Sequence, residues 1–184
     1  MKSALNVQTE PFEFVRLPER RQRKPRLRGL TMMLDPGLPP LYQEDMLDTV
    51  GQYIDLAKFK AGSARLYSEP CLRRKLAAYR ERDVKPFIGG QFHEFVFAVY
   101  GDGELGKFYA EAKRLGFAAI EISDNIVPLS DQQRADQIRA ACDSGLEVFG
   151  EVGAKDRNSE ASELIDQAGI CFEAGASLVL VEAA

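Results

Sequence analysis

The chain has 184 residues, 45% of them hydrophobic and 28% charged, which is the balance of one ordinary globular domain and excludes a fibrous or low-complexity chain. A domain of this length buries roughly 70% of the surface its unfolded chain exposes, so neither disulfides nor a structural metal is needed to build a core. Three scattered cysteines without a CxxC pair, and one histidine, exclude the common zinc frameworks, while the net charge of −4 hides a basic cluster of Arg16, Arg20, Arg21, Arg23, Lys24, Arg26 and Arg28. That cluster lacks the aromatic interleaving of a nucleic-acid surface, so a solvated arm or a subunit contact is the simpler reading. With no signal-peptide core and no run approaching the ~20 apolar residues of a membrane span, the expected location is the cytoplasm.

Beyond a basic arm over residues 1–28, short apolar runs alternate with helical patterns through 29–184, which predicts βα units on a parallel sheet. Strands are expected at 30–34, 53–57, 84–88, 118–122, 146–150 and 177–181. Ser68 can cap a helix carrying Leu72, Leu76 and Tyr79. Gly89 and Gly90 mark a sharp turn or a close approach of backbone to a ligand. His93 reads as a hydrogen-bonded structural residue on that turn, and Phe92, Phe95 and Phe97 as packing. Leu105, Phe108, Tyr109, Ala112 and Leu115 form one helical stripe, and Ala161, Leu164, Ile165, Ala168 and Phe172 another. Ser130 with Gln133 reads as a capping box, and Gly116, Gly145 and Gly175 as helix-ending residues in the left-handed conformation.

Aligning those three glycines exposes a repeat in which each following strand ends in an acid: Glu121, Glu151 and Glu182. In a parallel layout they would share one face with Asp35 and Asp55, the face on which barrel enzymes hold their chemistry. Terminal acids also cap helices or pair with cations, but three at one point of a repeat favour a site. Lys58 beside Asp55 and Lys155 beside Glu151 add cations. Carboxylates and water suit Mg²⁺, while lysines can hold an anionic substrate or transfer a proton. No GxGxxG follows an expected strand, and GxxxxGK[ST] and GxSxG are absent from the sequence, so the usual signatures of dinucleotide binding, P-loop hydrolysis and the hydrolase elbow are missing.

Lys24-Pro25-Arg26 with Gly29-Leu30-Thr31, then LDPGLPP, YIDLAKF, the GG-x-F-x-E of Gly89 to Glu94, LGFAAIEISD and EVGAKD, together resemble the phosphosulfolactate synthase family. The resemblance runs from Lys24 to Glu182 and implies a Mg²⁺-dependent (β/α)8 TIM barrel that adds sulfite to phosphoenolpyruvate, giving (R)-2-phospho-3-sulfolactate for coenzyme M synthesis. It implies Lys155 as the proton donor, with Lys58 as the second catalytic lysine. Gly89, Gly90, Asp55 and Glu94 become substrate-binding candidates, and Glu121, Glu151 and Glu182 metal ligands.

The sequence also departs from the family pattern. Lys60, Ala61, Gly62, Ser63 and Ala64 stand where GWGTS is usual, Pro36 replaces a lysine, Gln91 and His93 interrupt GGTLFE, and Ala154 replaces the first lysine of GKK. The final VEAA places Ala184 where an arginine is usual. A closed (β/α)8 barrel takes about 250 residues. The expectation is therefore a barrel lacking its last two strands, with exposed edges that favour a homo-oligomer and with little synthase activity of its own. A noncatalytic role like that of heat-stress-associated relatives is the alternative.

Overall fold

In a computed structural model that describes residues 11, 12, 14, 15, 22–153 and 159–182, the chain forms a six-stranded, all-parallel sheet in the order β1-β2-β3-β4-β5-β6. The strands are β1 (Met32–Asp35), β2 (Leu56–Phe59), β3 (Lys85–Ile88), β4 (Ala119–Ile122), β5 (Glu147–Val152) and β6 (Leu178–Val181). Between them run α1 (Pro40–Val50), α2 (Glu69–Arg80), the pair α3 (Gly90–Tyr100) and α4 (Leu105–Leu115), α5 (Asp131–Asp143) and α6 (Ala161–Ala174). Sequential strand order with a helical crossover at every step is the pattern of a (β/α) TIM-type barrel.

The central strands β2 to β5 are buried on both faces for most of their length, which is why they read as nearly continuous apolar runs, while the edge strands β1 and β6 stay partly exposed. Outward-facing Ala57, Phe59, Ile88, Ile120, Ile122 and Val148 pack against Leu72, Leu76, Tyr79, Tyr109 and Ile138 of the helices. Leu56, Phe87, Ala119 and Phe149 form a second cluster on the inner face, supported by Leu178 and Leu180. There Phe87 and Phe149 meet edge to face at 5.0 Å. At the N-terminal end of the strands Lys85 pairs with Glu147. The inner face is thus layered, with an ion pair below, aromatic packing in the middle and charged groups above.

Local signals act as the sequence suggests in several places. Ser130 and Gln133 form the reciprocal capping box of α5, and Gly116 and Gly175 end α4 and α6 at φ 105° and 113°. Ser68 occupies the N-cap position of α2 without a side-chain cap bond. Two elements differ from expectation. Residues 90–100 form a helix, where a turn was read around His93. The stripe on α6 is only partly covered, with Ile165 69% and Phe172 53% exposed. Among the described residues, no helix is long and apolar enough to cross a membrane.

Candidate functional site

Strand alternation decides which side chains reach the inner face, and Lys58, Glu121 and Glu151 do so near the C-terminal ends of β2, β4 and β5. The Lys58 ammonium lies 2.7 Å from Glu121 Oε2 and 3.0 Å from Glu151 Oε2. It donates a hydrogen bond to Glu151 and makes the closer ion pair with Glu121. The two carboxylates are 1% and 5% exposed and the lysine side chain 15%. Phe87, in register with Lys58 on β2, is the apolar floor over which the lysine reaches from one strand to acids two and three strands away.

The other carboxylate oxygens are also engaged. Glu121 Oε1 accepts the Gly90 N–H at 2.8 Å, at the first turn of α3, where a helix favours negative charge. Glu151 Oε1 accepts the Asn125 side-chain amide. Burial first, then the facing Glu151 carboxylate, push the Glu121 pKa up to about 7, against the pull of Lys58 and the Gly90 N–H. Burial lowers the Lys58 pKa, but the two facing carboxylates outweigh it and leave the ammonium above its ordinary value. The cluster therefore holds a firmly charged cation beside a carboxyl group able to gain or lose a proton near neutrality.

Both glycines after β3 are demanded by close approach. A Cβ on Gly89 would stand 2.9 Å from Lys58 Cε, and one on Gly90 would stand 1.9 Å from Ser123 Oγ and 2.9 Å from Glu121 Oε1. The pair leaves room for the lysine stem and for the carboxylate.

The structure gives three sequence candidates other tasks. Asp35, in register with outward-facing Phe59, pairs with Lys75 of α2 at 2.9 Å and accepts the Tyr79 hydroxyl at 2.9 Å, away from Lys58. Asp55 precedes β2, because Gly51–Tyr53 forms a 3-10 turn and strand pairing starts at Leu56. Its carboxylate lies at the N-terminal end of the sheet, bonded to Arg26 Nε at 2.9 Å and the Thr31 N–H at 2.8 Å. It is a fastening for the basic segment, not part of the rim that carries Lys58. Lys24 is spent nearby on the Arg82 carbonyl at 2.8 Å. Glu94, buried on α3, accepts the Ser123 hydroxyl and the Ile126 and Val127 N–H groups at 2.6 and 2.9 Å, so it fixes the loop after β4. Glu182 follows β6, its N–H donating to the Val152 carbonyl at 2.8 Å. Lys155 lies outside the described residues.

Asn125 and Arg134 are supporting residues that the sequence reading did not single out. Arg134, buried in α5, donates to the Glu151 main-chain carbonyl at 3.0 Å and to Asp124 Oδ2 at 2.6 Å. It ties the end of β5 to the loop bearing Asn125. Its signal was available, because Arg134, Ile138 and Ala141 share one buried helical stripe, an unusual place for an arginine without a polar task.

Mg²⁺, implied by the resemblance, does not fit these acids as they stand. The ammonium fills the space between Glu121 and Glu151, their remaining oxygens accept amide hydrogens, and among the described residues no three His, Cys, Asp or Glu side chains cluster as a metal cage.

Residues 19–184 match the model of the (2R)-phospho-3-sulfolactate synthase (ComA) family. The phosphosulfolactate synthase of Methanocaldococcus jannaschii is 35% identical over 159 residues, an alignment covering 84% of this chain and 62% of that protein. The protein HEAT-STRESS-ASSOCIATED 32 of Arabidopsis thaliana is 26% identical over 192 residues, covering 90% of this chain and 66% of that one. The chain thus spans less than two thirds of the length of either relative. Among solved structures, 2,3-dimethylmalate lyase, a member of the PEP mutase/isocitrate lyase superfamily, superposes with a TM-score of 0.54 at 15% identity, covering 83% of this chain and 56% of that one. That likeness bears on the barrel fold alone.

Proposed function

The chain belongs to the phosphosulfolactate synthase family, and from that premise we propose that its rim of Lys58, Glu121 and Glu151 is the site of sulfite addition to phosphoenolpyruvate. The observation carrying this reading is a buried, firmly charged lysine held between two carboxylates at the C-terminal end of a parallel barrel sheet.

The chemistry sets the tasks. A sulfur lone pair of sulfite attacks C3, the C–S bond forms, and the double-bond electrons move onto C2 and the carboxylate as enediolate-like charge. A proton then reaches C2, and the phosphate stays attached, giving 2-phospho-3-sulfolactate. Lys58 would hold anionic substrate oxygens against the mutual repulsion of the two reactants. Glu121, with a pKa near neutrality, could take up or release the charge that such binding displaces. Lys155 is the proton donor by family resemblance. No step is assigned to a metal held by Glu121 and Glu151.

The test is ³¹P NMR of phosphoenolpyruvate and sulfite with stoichiometric protein, with and without Mg²⁺, because slow single turnover then remains visible. The expected result is a new phosphate monoester with no released phosphate, lost in Lys155→Ala. The plant relative supports a second, noncatalytic reading. Absence of the adduct, together with protection of cells from heat that persists in Lys155→Ala and Glu151→Ala, would favour it.

A further inference from the structure

We infer that Lys58 is the resident cation of the Glu121–Glu151 pair, and that the pair accepts a divalent ion only when this lysine is removed. Two carboxylates at 1% and 5% exposure need a counter-charge, and the ammonium, 2.7 and 3.0 Å away, supplies it from within the fold. Mg²⁺ would require near-octahedral oxygen at about 2.0–2.1 Å and would retain several waters. The space between the acids holds an alkyl ammonium instead.

Three further features build that place around the lysine. Gly89 has no side chain, and a Cβ there would press on the lysine stem, at 2.9 Å from Cε and 3.2 Å from Cγ. Phe87 lies beneath the stem in register. Outer contacts hold each acid toward the ammonium: Gly90 N–H on Glu121, and Asn125 on Glu151, whose main chain Arg134 fastens in turn. The same outer contacts would hold two carboxylates toward a metal once the ammonium is gone. Glu121 Oε2, buried and with no partner besides the ammonium, is the oxygen most ready to ligate once the lysine is gone.

Mn²⁺, which is paramagnetic and takes the same oxygen ligands, is the probe. Free Mn²⁺ is counted by electron paramagnetic resonance during titration of the intact 184-residue protein, of Glu121→Gln and Glu151→Gln, and of Lys58→Met with and without Glu121→Gln. Wild type should take up no ion that depends on either acid. Lys58→Met should gain one site, at least tenfold tighter than any weak binding by wild type, and lose it again with Glu121→Gln. Thermal melts of Lys58→Met should rise with added Mn²⁺ or Mg²⁺, which gives a readout even where that variant is poorly folded at rest. Stoichiometric Mn²⁺ on wild type that disappears in Glu121→Gln or Glu151→Gln would overturn the proposal, and so would a Lys58→Met protein that gains neither site nor thermal shift. Binding to wild type that survives both acid variants places the ion elsewhere and upholds it.

Discussion

Replacing Lys58 by Met keeps a four-atom stem and removes the ammonium with its charge and hydrogen bond, leaving Glu121 and Glu151 facing each other at 1% and 5% exposure. Breaking a buried ion pair from one side costs about 3–5 kcal/mol, because the remaining charge is uncompensated. The cost should depend on pH with a definite sign. Burial and Glu151 already raise the Glu121 pKa from 4.5 to about 7, so in that window the folded state binds a proton that the unfolded state has lost. This contribution makes stability fall as pH rises from 4.5 through 7, and removing the lysine pushes the folded pKa higher still. The difference between wild type and Lys58→Met in urea unfolding should therefore be about 3–5 kcal/mol at pH 8 and clearly smaller at pH 5. Taking the difference cancels the acid sensitivity of groups remote from this cluster. A difference below about 1 kcal/mol at pH 8, or one independent of pH, would refute the view that the ammonium neutralises this pair.

Other residues give independent outcomes. Phe149→Ala removes half of the edge-to-face pair on the inner face and should lower stability by about 3–5 kcal/mol, read as a fall in Tm. Burial holds the His93 pKa down from 6.5 to about 4, so the unfolded chain takes the proton first and stability drops as pH falls through that interval. Wild type should lose about 2 kcal/mol more than His93→Gln between pH 7 and pH 5 in urea unfolding. Gly90→Ala sets a Cβ 1.9 Å from Ser123 Oγ and should cost about 1–3 kcal/mol by the same assay.

The parallel sheet was legible because each strand carries a short apolar run, and because Gly116, Gly145 and Gly175 punctuate the helices before three of them. The start of β2 was not. Tyr53 and Ile54 continue the hydrophobic run of β2, but the chain first turns through Gly51–Tyr53, so the acid assigned to the upper rim enters at the lower one. Residues 90–100 also hid their helix, since Phe92, Phe95, Val96, Phe97 and Val99 are apolar nearly all round and carry little 3.6-residue contrast. Of the site, Lys58, Glu121 and Glu151 followed from their place at strand ends. Periodicity places a side chain on a face without saying what it bonds there. The lysine's position between the acids, and the clamps from Glu94 and Asn125, therefore emerged only from three-dimensional contacts, whereas Arg134 was marked in the sequence by its apolar stripe but not its partners.

The central claim is that this lysine-bridged rim is where phosphoenolpyruvate and sulfite react. The most direct measurement compares single-turnover formation of the phosphate-retaining adduct, followed by ³¹P NMR, in wild type and Lys58→Met at matched folded fraction. The account predicts adduct with wild type and a loss of at least a hundredfold in rate, about 2.7 kcal/mol, when the ammonium is removed. Equal rates in the two proteins would place the chemistry elsewhere on the molecule and contradict it.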